Sequence, residues 1–326
     1  MRVVVIGAAG LLGVKLTNRL IADGVVGGTA ISSLSLVDVV TPARPENAPF
    51  PIETRAADVS LAGTAQSLIA AQPDVIFHLA AIVSGEAEAD FDKGYRVNLD
   101  GTRFLFDAIR QTGGGYRPRV VFTSSIAVYG APLPETIDDD IALTPLTSYG
   151  TQKAIDELLL ADYSRRGFLD GIGLRLPTIC VRPGKPNRAA SGFFSSIIRE
   201  PLNGQEAILP VPETVRHWLA SPRAAIGFLV RAAALDTTDL GARRNLTLPG
   251  VSVTVGEQIS ALRSVAGDRA VALIRRQPDE TIAKIIGGWP RGFAPTRALE
   301  LGFRGDTDFA EIVRIYIDDE LGGRIA

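Results

Sequence analysis

One short turn near the start of the chain restricts the possible folds more than any other stretch. Gly7-Ala8-Ala9-Gly10-Leu11-Leu12-Gly13 follows the apolar run Val3–Ile6 and leads into the helical pattern Leu11–Ala22. Glycines spaced G-x-x-G-x-x-G between a strand and a helix have separate physical jobs. Gly7 permits a tight turn, Gly10 lets backbone approach a pyrophosphate, and Gly13 lets helix and strand pack closely. The helix start adds free N–H groups and a positive dipole end, which suit phosphate oxygens. An ordinary turn also uses glycines. The strand before, the helix after and an acid downstream select the dinucleotide reading. That acid is Asp38, which ends Leu34-Ser35-Leu36-Val37. A carboxylate there accepts both adenosine ribose hydroxyls and repels a 2′-phosphate, so NAD is expected in preference to NADP. Asp58-Val59, after the third strand, offers a carboxylate to the adenine amino group.

The turn opens an alternating pattern. Strand candidates are Val3–Ile6, Leu34–Val37, Ile52–Ala56, Val75–Leu79, Val120–Ser124 and Ile172–Leu176. Several are apolar throughout, as strands covered on both faces must be. Between them lie the helical stretches Leu11–Ala22, Thr64–Ala71, Tyr95–Gln111 and Ser148–Arg165. Strand–helix alternation with right-handed crossovers predicts an α/β fold with a doubly wound parallel sheet. After Pro177 the texture changes, with Pro183, Pro186, Pro201, Pro210, Pro212 and Pro222 breaking the chain into short pieces. Helical runs return at Pro222–Leu235, Gly256–Val265 and Asp308–Leu321, with a strand-like Arg243–Leu248. The expected organisation is a first domain of residues 1–176 plus about 216–250. A smaller lobe of about 177–215 plus 251–326 completes it.

Composition excludes several classes. Lys and Arg number 34 against 36 Asp and Glu, a net charge of −2, so the chain carries no basic footprint for nucleic acid or an anionic membrane. The single cysteine, Cys180, excludes intrachain disulfides, and with only His78 and His217 beside it a zinc cluster is not expected. The first apolar run stops at Gly7, too short for a signal-peptide core, and no stretch of about 18 uninterrupted apolar residues follows. A cytoplasmic location is the expectation.

A second constellation carries chemistry. Phe122-Thr123-Ser124-Ser125 ends a strand, and Tyr149-Gly150-Thr151-Gln152-Lys153 begins a helix, so Tyr149 and Lys153 share a face. Free tyrosine titrates near pH 10 and is a poor base at neutrality. A nearby ammonium and a positive nicotinamide both favour the phenolate. A drop of about three units represents about 4 kcal/mol of differential stabilisation. Lys153 can also hold a nicotinamide ribose, and a serine hydroxyl can orient a substrate oxygen.

Together these residues resemble the short-chain dehydrogenase/reductase superfamily, extended branch, which contains nucleotide-sugar epimerases and dehydratases. The matching residues are Gly7–Gly13, Asp38, Asp58-Val59, His78-Leu79-Ala80-Ala81, Asn98, Ser124-Ser125, Tyr149 and Lys153. Arg175 through Pro183, Arg216-His217-Trp218 and Leu301-Gly302-Phe303 follow in order, so the likeness covers the whole chain. The resemblance implies a Rossmann domain binding NAD, with hydride transfer at nicotinamide carbon 4. Tyr149 is then the acid/base, Lys153 its helper, and Ser125, with Ser124 beside it, the catalytic serine. Leu11, Leu12, Leu79, Ala80, Ala81, Asn98 and Pro177 are implied to line the cofactor, and His78 to pack against it. A homodimer pairing the helices Tyr95–Gln111 and Ser148–Arg165 is also implied.

The substrate is less directly written. Nucleotide-sugar members commonly end the strand after the catalytic helix with an asparagine, and here Pro177-Thr178 stands in its place. Glu86, Glu88, Asp90 and Asp92, on a loop that borders the substrate in this family, disfavour a diphosphate. A solvated helix N-terminus explains those acids equally well. Arg182 and Arg216 are candidates for clamping a carboxylate, while Ser84, Ser125 and Thr178 suit the hydroxyls of a small polyol. The run His78–Asp92 followed by Arg96–Thr102 is similar to the bacterial D-erythronate 2-dehydrogenases. That likeness implies oxidation of the C2 hydroxyl of a four-carbon sugar acid. Residue chemistry alone supports a small hydroxylated carboxylate. An NAD-using sugar epimerase or dehydratase is the alternative. A non-catalytic NAD(P)-sensing regulator is the remote one, since such regulators commonly lose the tyrosine or lysine present here.

Overall fold

The computed structural model describes residues 1–184 and 190–326, so Pro186 lies outside the described residues. The chain divides into two compact units. The first comprises Met1–Val128, Pro145–Arg175 and Ile226–Thr247. Its strands are β1 (Arg2–Ile6), β2 (Ser33–Asp38), β3 (Ile52–Ala56), β4 (Val75–His78), β5 (Arg119–Ser125), β6 (Asp170–Leu176) and β7 (Asn245–Thr247). They form one seven-stranded parallel sheet in the order β7-β6-β5-β4-β1-β2-β3. Helices α1 (Leu11–Asp23), α2 (Thr64–Ile69), α3 (Ser84–Ala89), α4 (Gly101–Thr112) and α5 (Ser148–Arg165) connect them. All four residues of β4 are buried, as are Val3 to Ile6 of β1. This is the continuous burial that a sheet covered on both faces imposes. Phe77, Phe106 and Phe122 lie fully inside.

Register brings distant residues to one sheet end. Ile6 stands opposite both Val37 and His78. The glycine turn, Asp38 and the Leu79–Ala81 segment therefore all leave the carboxyl ends of neighbouring strands. The strand order reverses at β1, and such a switch point is where open α/β sheets bind ligands. The expected helix Tyr95–Gln111 begins differently. Tyr95–Asp100 winds as a π-helix before α4, a widening often found at functional sites.

The second unit comprises Tyr129–Thr144, Leu176–Ala225 and Leu248–Ala326. Its three-stranded sheet runs Val251–Thr254, Arg216–Ala220, Thr178–Ile179. Helices Gly192–Leu202, Val255–Val271 and Phe309–Leu321 supply a core that includes Phe194, Ile197, Leu262 and Ile312. Two segments differ from the sequence expectation. Residues 216–225, expected in the first domain, fall here because Arg216–Leu219 pair antiparallel with Val251–Thr254. Residues 129–144 also fall here, since Ile137 exchanges backbone bonds with Gly292 and Ala294 at 3.0 and 2.8 Å. The helix Gly192–Leu202 is not anticipated by the proline-broken pattern. Its Pro201 sits in the last turn, where the i−4 bond it forfeits is followed by only one more helical residue. Among the described residues no helix is long and apolar enough to cross a membrane.

Candidate functional site

The glycine turn has the conformation its residues predict. Gly7 adopts φ +92°, and a Cβ there would lie 2.6 Å from the Ala80 nitrogen. A Cβ on Gly13 would lie 2.6 Å from the Ala8 Cα, whereas on Gly10 it would meet nothing closer than 3.5 Å. Gly7 and Gly13 are thus required by the protein's own packing. Gly10 faces open space, as a backbone that must approach a ligand does. The first turn of α1 has no side-chain cap and no acid, so its N–H groups and dipole remain available to phosphate. Asp38 Oδ2 accepts from the Ala9 N–H at 2.9 Å and Oδ1 from the Val39 N–H at 2.7 Å. The carboxylate thereby locks β2 to the turn. Asp58 closes its own turn with the Ser60 N–H at 2.9 Å and hydroxyl at 2.7 Å, and Val59 packs against Gly101 of α4. These residues fit a dinucleotide at the carboxyl end of the sheet.

The start of α5 packs onto the turn that follows Ser125. A Cβ on Gly150 would lie 3.0 Å from the Ala127 carbonyl carbon, so only glycine allows Tyr149 to sit so near that turn. Thr147 caps the helix by accepting from the Gly150 N–H at 3.0 Å. Lys153, one turn on, is fully buried; its ammonium lies 4.5 Å from the Phe122 ring centroid and 5.9 Å from that of Tyr149. Burial lowers its pKa to about 8, although Asp156 and Glu157 oppose the shift. The same burial pushes the Asp156 carboxyl well up.

The two serines part company. Ser124 is buried and donates to Glu157 Oε1 at 2.6 Å; Arg175 holds the same carboxylate through Nε at 2.9 Å and Nη2 at 2.7 Å. Ser125 is half-buried, and its Oγ accepts from the Ala127 N–H at 3.1 Å. That bond leaves the Ser125 proton to be donated elsewhere.

Asn98 is buried and clamps Ile82, accepting from its N–H at 2.9 Å and donating to its carbonyl at 3.1 Å. It also donates to Gln152 Oε1 at 2.7 Å, so its amide ties the segment after β4 to α5. His78 is buried. Thr102 donates to the Asn98 carbonyl at 2.6 Å, so His78 Nε2, 3.0 Å from that hydroxyl, must be the donor to it. Burial and the nearby Lys153 hold this imidazole neutral, with its pKa lowered to about 3.

Three acids of the stretch make structural contacts. Glu86 pairs with Lys93, Glu88 accepts from the Ser148 N–H at 2.9 Å, and Asp90 caps the turn Phe91–Gly94. Half-buried Ser84 is the first residue of α3. In the second unit Pro177 is buried, and Thr178 Oγ1 lies 2.7 Å from His217 Nε2. Arg182 donates from Nε to the Ile179 carbonyl at 3.2 Å. Arg216 donates to the Ser252 carbonyl at 2.9 Å and reaches Glu257 at 3.2 Å.

Sequence reasoning did not single out Thr102, Gln152, Asp156, Glu157 or His217. A signal existed for two of them. Positions 149, 153, 156 and 157 follow the i, i+4, i+7, i+8 pattern of one helix face, which marks Asp156 and Glu157 as neighbours of the Tyr–Lys pair.

Residues 3–234 match the NAD dependent epimerase/dehydratase family. The chain belongs to that family. The D-erythronate dehydrogenase of Cupriavidus necator is 48% identical over 98% of this chain and 98% of its own length. That of Haemophilus influenzae is 44% identical over 98% of this chain and 100% of its own. A crystal structure described as a nucleoside-diphosphate-sugar epimerase from Agrobacterium tumefaciens superposes with a TM-score of 0.98 at 63% identity. It covers 100% of this chain and 96% of that one. Membership gives this fold its NAD, as the glycine turn and Asp38 anticipate.

Proposed function

We propose that this protein is an NAD-dependent dehydrogenase that oxidises the C2 hydroxyl of D-erythronate to 2-oxo-D-erythronate. The observation that carries the substrate is near-complete alignment, at 48% and 44% identity, with two D-erythronate dehydrogenases. The arrangement of Ser125, Tyr149 and Lys153 supplies what such an oxidation needs from the protein. Tyr149 takes the hydroxyl proton as the C2–H bond breaks. Buried Lys153 favours the phenolate that does so, and the neighbouring Asp156 and Glu157 favour its charged form against the burial that lowers its pKa. Ser125 donates its free proton to the substrate oxygen and orients it; Ser124, committed to Glu157, is a structural neighbour. When bound, NAD would supply the hydride acceptor at nicotinamide carbon 4.

For the cofactor we assign Gly7, Gly10, Leu11, Leu12 and Gly13 to the phosphates, Asp38 to the adenosine ribose, and Asp58 and Val59 to adenine. Leu79, Ala80, Ala81, Tyr149, Lys153 and Pro177 are assigned to the nicotinamide half. Asn98 supports it by holding Ile82. For the substrate we assign Ser84, Ser125, Tyr149 and Thr178 to hydroxyl oxygens. Arg182 and Arg216 are the two candidates for clamping the substrate carboxylate; the Arg216 guanidinium also serves Ser252 and Glu257. We further propose a cytoplasmic homodimer. Leu158, 71% exposed on α5, supports that pairing.

The Agrobacterium structure favours a second reading, an epimerase that returns the hydride to the sugar. A spectrophotometric screen of C4 and C5 aldonic acids with NAD and NADP separates the two. Net NADH formation fastest with D-erythronate supports the dehydrogenase. No net NADH with any aldonic acid, together with turnover of a nucleotide sugar, supports the epimerase.

A further inference from the structure

His217 is buried in the second unit and stacks on Phe194, with ring centroids 4.9 Å apart and planes 11° apart; Trp289 is tilted against it, with centroids 5.3 Å apart. Its Nδ1 lies 3.1 Å from the Pro290 carbonyl oxygen. A carbonyl only accepts, so Nδ1 carries the proton. Burial lowers the imidazole pKa to about 4, so at neutral pH the ring holds one proton and Nε2 is a bare lone pair. Thr178 Oγ1, 2.7 Å from Nε2, must then be the donor. Backbone pairing fixes the threonine as well, with Thr178 opposite Leu219 and Ile179 opposite Ala220. Thr178 is half-buried, and with its proton committed to His217 its hydroxyl offers a ligand only lone pairs.

We infer that His217 is a specificity-determining residue that makes Thr178 solely a hydrogen-bond acceptor, so that the site selects a substrate bearing a hydroxyl donor beyond C2. The inference rests on the assignment of Thr178 to the substrate. A freely rotating threonine accepts or donates with equal ease and reads only polarity. A threonine locked by a neutral histidine distinguishes a hydroxyl from a fluorine, an ether or a carbonyl of similar size. Such an acceptor facing another acceptor is left unpaired, which is the stronger form of discrimination.

The test compares D-erythronate with its 3-deoxy-3-fluoro and 4-deoxy-4-fluoro analogues, by kcat/KM and by calorimetric Kd in the presence of NADH. In the wild type one of the two should fall by about 10- to 100-fold relative to D-erythronate, with the loss appearing in Kd as well as in KM. Thr178→Ser should keep that ratio and Thr178→Val should bring it within about threefold of the other analogue. His217→Phe, which keeps the ring stack but frees the Thr178 proton, should reduce the ratio while Thr178 remains. Comparing ratios across variants cancels the inductive effect of fluorine on hydride loss. A ratio unchanged by Thr178→Val or by His217→Phe overturns the inference. Nitrogen-15 shifts of the two histidine rings decide independently of folding in the variants, because His217 should carry its proton on Nδ1 and His78 on Nε2. A proton on Nε2 of His217 overturns the inference. Failure of the wild type to oxidise D-erythronate at all overturns the proposed function instead, and the ring shifts separate that outcome.

Discussion

At Asp38 a single carboxylate holds the glycine turn, through the Ala9 N–H, and we propose that it also sets the cofactor preference. Asp38→Ala removes ribose acceptance and phosphate repulsion together, so the preference for NAD over NADP should shrink, measured by fluorescence quenching. Wild-type protein that binds NADP as tightly as NAD contradicts this role. Tyr149→Phe keeps the ring and removes the proton carrier. It should lower kcat by at least about 100-fold with NAD affinity little changed, and near-normal turnover removes Tyr149 from the chemistry. Both proposed roles are read from the sequence because spacing to neighbouring motifs is itself the signal. The divergence of Ser124 and Ser125 was not. Nothing in two adjacent serines tells which one Glu157 will claim, since that depends on α5 lying over β5.

The elements of the first unit were legible for a related reason. Strands buried on both faces must be largely apolar, and Val3–Ile6 of β1 and residues 75–77 of β4 are. Helix α5 is the counter-example. It buries Gln152, Lys153, Asp156 and Glu157, so hydrophobic patterning understates how deeply it is packed. The glycine turn allows an element-scale test. Gly13→Ala forces a Cβ to 2.6 Å from the Ala8 Cα, so melting temperature and NAD affinity should both fall. Gly10→Ala meets nothing within 3.5 Å, so melting temperature should hold while NAD affinity drops. Equal thermal losses in the two variants contradict the separate jobs given to these glycines.

For the molecule as a whole, the division into units was only partly legible. The proline-rich texture after Pro177 marks a change, but strand pairing assigns Arg216–Ala220 to the second unit, and pairing between segments so far apart leaves no local trace. Acid stability is a property of the whole chain. His78 and His217 are held neutral to about pH 3 and about pH 4, whereas unfolded histidine takes up its proton near pH 6.5. Folded-state pKa values lie below unfolded ones, so unfolding binds protons and stability falls as pH falls below about 6.5. Each histidine contributes up to about 1.4 kcal/mol per pH unit in that window. The raised Asp156 acts in the opposite sense, so the comparison must be between variants. Urea unfolding of wild type and His217→Phe from pH 6.5 to 4.5 should show the variant losing about 1 kcal/mol less per pH unit. Parallel curves contradict the buried neutral ring.

The central claim is net transfer of hydride from C2 of D-erythronate to NAD. D-erythronate deuterated at C2 tests it most directly, with the nicotinamide examined by NMR after turnover. The account predicts one deuterium at nicotinamide carbon 4 for each 2-oxo acid formed. Deuterium retained in the sugar acid, with no labelled NADH, would contradict it.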